Sequence, residues 1–298
     1  MNDLVSKSLL PAGLQDLLPP EAAQESLLSA ELLNEIYNHG YLRVKPPFLE
    51  FENSLLSGTG AALSESTFRL MDPISRRMMA FRSDMTPQVG RIARTRLAHA
   101  ERPLRLCYGG DILRVQGSEL RPERQFAQVG FELIGTQSTN ADVEILLLAV
   151  EALTKLGIEE LTVDLSAPTL TTSLIKELKL PAKIRDSLRE ALDLKDMKAV
   201  ANIGGDSVKP LMGLLEATGP AQNTLNILSK LDLPANAKKV ANTLYEIASL
   251  AMQANPKLRL TIDPVEHRGF EYQTGISFAF FATNVRGELG RGGRYEIA

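Results

Sequence analysis

Tryptophan is absent from this chain, cysteine occurs once and histidine three times in 298 residues. The lone thiol, Cys107, excludes an internal disulfide and a cysteine metal cluster. Its apolar strand context reads as a buried, inert group in a reducing compartment. His39, His99 and His267 stand far apart, none with a second ligand at short helical spacing, so no metal is expected. No apolar run reaches the roughly 18 residues of a membrane span, and the N-terminus has no signal-peptide h-region. Cytoplasm is the expected location. There is no Gly-x-Ser-x-Gly elbow and no Cys/His pair to supply a nucleophile. A net charge of −3 gives no global pull toward nucleic acid. What is present, 44% hydrophobic and 23% charged residues, suits an ordinary soluble protein long enough for two structural units.

The pattern along the chain predicts a helix over 20–39, with Leu27, Leu28, Leu32, Leu33 and Ile36 as its apolar stripe and Gly40 as its stop. Short strands are expected at Tyr41–Val44 and Met78–Phe81. A helix over about 87–99 follows, with Thr86 as its cap and Pro87 at its first position. Two strands at about 104–116 and 123–135 read as an antiparallel pair around a charge-rich loop. A helix over about 141–156 ends at Gly157, and a strand follows at Leu161–Leu165. From about 168 to 255 short helices dominate, broken by Pro181, Gly204-Gly205, Pro210, Gly219-Pro220 and Pro234. Strand character returns at Leu258–Ile262, Ile276–Ala282 and around Gly287–Leu289. A sheet interrupted by a helical block predicts an α+β fold with a small helical insertion. The expected division is 1–166 core, 167–256 insertion and 257–298 core.

The segment from Leu106 to Glu132 is the densest in chemistry. Arg124, Gln128 and Glu132 are spaced by four, so on a strand they share one face, which is either an exposed polar surface or the floor of a pocket. Arg114 ends the preceding strand. Its planar fork can clamp a carboxylate or phosphate, or lie solvated at the strand end. Asp84 and Thr86 stand at a strand-to-helix junction, either as a helix-start pair or as a grip on an ammonium group. Together these residues could hold a small ligand carrying both charges, such as a free amino acid. Glu266 to Gly275 packs carboxylates, His267, Arg268 and Tyr272 between two strands, which favours a site over a plain hairpin. Gly290 to Tyr295 is glycine-rich without the lysine and hydroxyl of a phosphate loop, so Gly292 and Gly293 are expected to let the backbone approach a ligand.

Taken in order, these segments resemble the catalytic domain of a class II aminoacyl-tRNA synthetase, the histidyl type. Pro11 to Pro19 is similar to the family's Pro-x-Gly-x-x-Asp-x-x-Pro, and Lys45-Pro46-Pro47 through Glu50 sits where the dimer-forming motif 1 would lie. Arg82-Ser83-Asp84-Met85-Thr86 resembles the Arg-Pro-Glu-x-Thr that binds histidine's amino group. Leu106 to Glu132 matches motif 2 without a gap, which places Arg114, Gln128 and Glu132 on its functional arginine, glutamine and glutamate. Arg268-Gly269-Phe270-Glu271-Tyr272 resembles the Arg-Gly-Leu-Asp-Tyr histidine signature, and Gly292 to Tyr295 the Gly-Gly-Arg-Tyr. The resemblance implies an antiparallel sheet flanked by helices. It also implies histidine bound by Asp84, Thr86, Arg114, Gln128, Glu132, Arg268, Glu271 and Tyr272.

The departures point to a paralogue. Where motif 2 carries Phe-Arg-x-Glu, this chain has Leu113-Arg114-Val115-Gln116, so a carboxylate of the ATP site is a neutral amide. The loop reads Gly117-Ser118-Glu119 in place of Arg-Pro-Gln, trading a cation for an anion near a ligand with about four negative charges. The tyrosine pair of the histidine signature is reduced to Tyr272-Gln273. This pattern resembles the regulatory subunits of ATP phosphoribosyltransferase. They are non-catalytic, join a short catalytic subunit in a hetero-oligomer, activate it, and take part in histidine feedback on the first step of histidine biosynthesis. A homodimer through the motif 1 region is implied, with L-histidine as ligand and no cofactor. Motif 3 would lie beyond Ala298, so the natural product is expected to be longer. Two alternatives are a truncated histidyl-tRNA synthetase core and an RNA-binding pseudo-synthetase; the acidic balance makes tRNA an unlikely partner.

Overall fold

The computed structural model describes residues 9–118, 121–178, 180–266 and 273–297. Contacts divide it into two compact units, one running to Thr136 and joined by Ile297, the other spanning Gln137–Glu296. Helices and mixed sheets make up both, an α+β fold.

In the first unit, α1 covers Glu21–Asn38 and ends where Gly40 takes φ +83°, a left-handed stop that a side chain resists. Its inner face carries Leu28, Leu32, Leu33 and Ile36, with Glu35 buried among them. Leu27 is 58% exposed, so the stripe is narrower than the sequence suggests. Strand β1 (Leu42–Arg43) runs parallel to β5 (Leu104–Leu113), which pairs antiparallel with β6 (Gln125–Ile134). A second sheet has the order β2 (Leu49–Phe51), β4 (Met78–Phe81), β3 (Arg69–Met71) and is antiparallel throughout. Between its strands lie the short helix α2 (Glu52–Leu55) and a 3-10 stretch, Gly58–Ser66.

Helix α3 spans Thr86–Thr95, shorter than the sequence pattern suggests. Arg102 stops it by donating to the carbonyls of Ala93, Leu97 and Ala100, which satisfies acceptors left open at a helix end. Met85, Val89 and Ala93 bury against Leu104, Leu106, Tyr108 and Ile112. The register pairs Leu104 with Ile134, Leu106 with Glu132, Tyr108 with Gly130, Gly110 with Gln128 and Ile112 with Phe126. Even-numbered residues of both strands therefore share one face, and the apolar members of that face pack with residues of α3.

In the second unit, α4 (Thr139–Lys155) is capped by the Ser138 hydroxyl and ends before Gly157, at φ +83°. Its sheet has the order β11 (Val285–Tyr295), β10 (Gln273–Ala282), β7 (Leu161–Ser166), β9 (Arg259–Asp263) and the two-residue β8 (Gly219–Pro220). Strands β7 and β9 are parallel, which the intervening helical crossover permits. That crossover comprises α5 (Pro168–Glu177), α6 (Ala182–Asp193), α7 (Met197–Gly204), α8 (Lys209–Ala217), α9 (Ala221–Leu228) and α10 (Ala235–Ala254). One apolar core runs from α4 through these helices to Val163, Leu165, Leu260, Ile262, Ile276, Phe278 and Phe280.

Candidate histidine-binding site

Asp84 lies between Arg82, at the end of β4, and the start of α3. Its Oδ1 accepts from the backbone N–H of Thr86 at 2.9 Å and from Gln128 Nε2 at 3.0 Å. Asp84, not Thr86, therefore closes the helix start; no side chain caps through the N-cap position itself. The reason is long-range: the Thr86 hydroxyl is drawn away to the Tyr108 hydroxyl at 2.9 Å. Gln128 ties both sides of the turn, because its Oε1 accepts from the Met85 N–H at 2.9 Å. One amide thus satisfies a carboxylate and a backbone donor at once.

Tyr108 is the hub of this arrangement, and no sequence pattern singles it out. Its hydroxyl donates to Glu132 Oε1 at 3.0 Å while meeting Thr86. Burial raises its pKa well above the ordinary 10.0, and the negative charges of Glu132 and Asp84 push the same way. It is a neutral phenol with a committed proton. A carboxylate as buried as Glu132, 9% exposed, is poorly solvated and gains much from a cation brought beside it. The strand glycines were the available clue. A Cβ at Gly130 would lie 2.4 Å from the Tyr108 hydroxyl oxygen, and one at Gly110 would lie 2.6 Å from Arg82 Nη2. Both positions are empty so that a long polar side chain can fill them.

Asp84, Thr86, Gln128 and Glu132 are therefore linked by hydrogen bonds through Tyr108 or directly. Their strand face is no exposed polar surface: Gln128 and Glu132 sit among the residues packed with α3. Arg114 borders the group; its Nε donates to the Ser83 carbonyl at 3.3 Å and its guanidinium lies 5.2 Å from the Phe126 ring centre. Arg124 departs from the expected polar face. It donates to the carbonyls of Ala12 and Arg114 and stacks over Phe68, tying down the start of the described chain. Arg268, Glu271 and Tyr272 lie outside the described residues. So does Glu119 of the loop, whose neighbour Ser118 exchanges backbone hydrogen bonds with Arg121. Gly292 and Gly293 make room for the protein's own side chains: a Cβ would strike the Phe278 ring at 2.5 Å or Gln273 Oε1 at 2.3 Å. Arg294 forks onto Asp142 at the start of α4 through Nε (3.0 Å) and Nη2 (2.9 Å). No described helix is long and apolar enough to cross a membrane.

The family model for histidyl-tRNA synthetase matches residues 13–298. A solved structure described as an ATP phosphoribosyltransferase regulatory subunit/histidyl-tRNA synthetase from Bacillus halodurans superposes with a TM-score of 0.83. It shares 23% identity, over 97% of this chain and 76% of that one, and speaks for the fold. An ATP phosphoribosyl transferase complex from Thermotoga maritima gives a TM-score of 0.71 at 18% identity, covering 95% and 94%. The fold is thus α+β of the class II, histidyl-tRNA synthetase-like type. Within it, an ATP phosphoribosyltransferase regulatory subunit from Rhodospirillum centenum is 54% identical over 290 residues, 97% of this chain and 75% of the relative. This chain belongs to the ATP phosphoribosyltransferase regulatory subunit family, and its role is regulatory, not that of a tRNA ligase.

Proposed function

We propose that this chain binds free L-histidine on the Tyr108-centred network and thereby takes part in feedback control of a short-form catalytic ATP phosphoribosyltransferase subunit, which it also activates. The observation that carries the reading is the coupling of Asp84, Thr86, Gln128 and Glu132 into one hydrogen-bonded group around a buried phenol. A cation is the ligand feature such a group takes, because two carboxylates converge on Tyr108 and the donors these bonds give them, a phenol and an amide, are neutral. Asp84, Gln128 and Glu132 would surround the ammonium, with Thr86 beside them. Arg268 and Arg114 would face the carboxylate, and Glu271 and Tyr272 the imidazole, as the family resemblance implies.

The same reading places the protein in the cytoplasm, in a hetero-oligomer with its catalytic partner, and as a homodimer through the region of Lys45 to Glu50. Supporting the dimer, the small β2–β4–β3 sheet and its surroundings leave Met71 63% and Ile74 92% exposed. Such side chains on a short sheet edge and the turn beside it favour a covering partner. No tRNA is expected to bind. Gln116 and the altered loop argue against adenylation, since that chemistry rests on cations and a metal-directed acid.

Calorimetry with L-histidine tests the ligand, and titration into a short-form catalytic subunit while following its rate tests the partnership. Binding heat, rate activation and histidine-dependent inhibition are the expected results. Histidine-dependent ATP–pyrophosphate exchange by the natural full-length product would overturn the reading in favour of a synthetase.

A further inference from the structure

The turn that carries Asp84, the Met85 N–H and Thr86 is fastened on both sides to one short segment, Pro46 to Glu50. Before the turn, Arg82 Nη1 donates to the Pro46 carbonyl at 3.1 Å and the Arg82 backbone N–H to the Phe48 carbonyl at 3.1 Å. After it, Gln88 Nε2 donates to the Pro47 carbonyl and to Glu50 Oε1, both at 2.8 Å. One turn further, Arg91 forks onto Glu50 through Nε (2.9 Å, to Oε2) and Nη2 (2.5 Å, to Oε1). Gln88 is 1% exposed and Glu50 9%.

These contacts do more than fill space. A bidentate arginine–carboxylate pair fixes orientation as well as distance. Gln88 spends both donors on the segment and leaves its own Oε1 buried without a partner among the described residues, a cost an apolar side chain would avoid. None of these groups belongs to the network around Tyr108, yet each bears on the backbone that presents Asp84 and Thr86. We infer that Glu50, Gln88 and Arg91 are positioning residues of the ligand site: through them, the placement of the Pro46–Glu50 segment sets the geometry of the Asp84–Thr86 turn. The inference rests on the histidine reading for its ligand but not for its mechanics.

Arg91→Lys keeps the charge and removes the fork, and Gln88→Met removes both donors at similar volume. The comparison variant is Val163→Ala, in the other unit's core, where Val163 is fully buried. The natural full-length protein is used throughout, with melting temperature measured for each variant. Histidine affinity should fall about tenfold to hundredfold in Arg91→Lys and Gln88→Met, because a displaced cradle binds poorly. It should stay unchanged in Val163→Ala even at an equal loss of melting temperature. Amide exchange should quicken at Met85 and Thr86 in the first two variants before it does elsewhere. Unchanged affinity in both, with a wild type that binds histidine, overturns the inference. Equal losses of affinity in Val163→Ala overturn it too, as a general stability effect. If the wild type binds no histidine, the ligand reading falls and exchange decides alone: unaltered protection at Met85 and Thr86 in a folded variant then refutes the positioning role.

Discussion

The core of the second unit is aliphatic and aromatic from α4 to β10, whereas the smaller core of the first shares its sheet face with a carboxylate, an amide and a phenol. Polar groups are buried in the second unit as well, Asp263 with Lys195 and Gln273 with Ser277. The first spends part of one sheet face on groups that must each find a partner, which limits the stability that face supplies. The difference teaches where change is felt: volume should govern the second unit, and hydrogen-bond completeness the first.

The largest effect should come from volume. Leu165 is fully buried, paired in register with Ile262 and Phe278. Leu165→Ala should destabilise the protein by about 2–5 kcal/mol in denaturant titration and leave histidine affinity alone. A change in affinity would erase the contrast between the units. Next comes charge without volume. Glu132→Gln keeps an acceptor for Tyr108, so folding should change little while histidine affinity drops about 100-fold, about 2.7 kcal/mol by calorimetry.

Tyr108→Phe removes one oxygen and leaves Thr86 and Glu132 without their shared partner. It should cost about 1–3 kcal/mol in stability, with weaker histidine binding. A variant as stable as wild type would show that the network is not a unit. The smallest effect is a pH dependence in the second unit. Burial raises the pKa of Asp164, the Thr261 hydroxyl and Lys195 oppose this, and Asp263 and Glu266 add to it. Folding therefore favours the protonated form. That contribution is full below the unfolded value of 3.8 and is lost as pH rises through the higher folded value. Asp164→Asn has no such loss, so its stability relative to wild type should improve between about pH 3.5 and about pH 7. A constant difference across that range would count against the burial argument.

Much of this is legible in the amino-acid sequence. The four-residue spacing of Gln128 and Glu132, and the apolar alternation around them, placed both on one face of β6, because strand geometry leaves little choice. What escaped was decided by contacts distant in sequence. Asp84 and Thr86 are both cap-forming residues, and only the pull of Tyr108, 22 positions away, assigns the cap to Asp84. Tyr108 itself, flanked by Leu106, Cys107 and Ile112, reads as packing. Arg124 shares the spacing of Gln128 yet turns to the backbone carbonyl of Ala12, a partner 112 residues distant. The helical stripe of α1 was drawn one leucine too wide, since periodicity cannot say how broad the covering surface is.

Two hydrogen atoms, those standing where side chains would be at Gly110 and Gly130, belong to this arrangement as surely as any charged group. A single methyl at position 130 would strike the tyrosine oxygen and force it off both its neighbours. Relatives that keep each acidic residue but carry alanine there should therefore hold a broken network, a loss that an inventory of retained polar letters would never reveal.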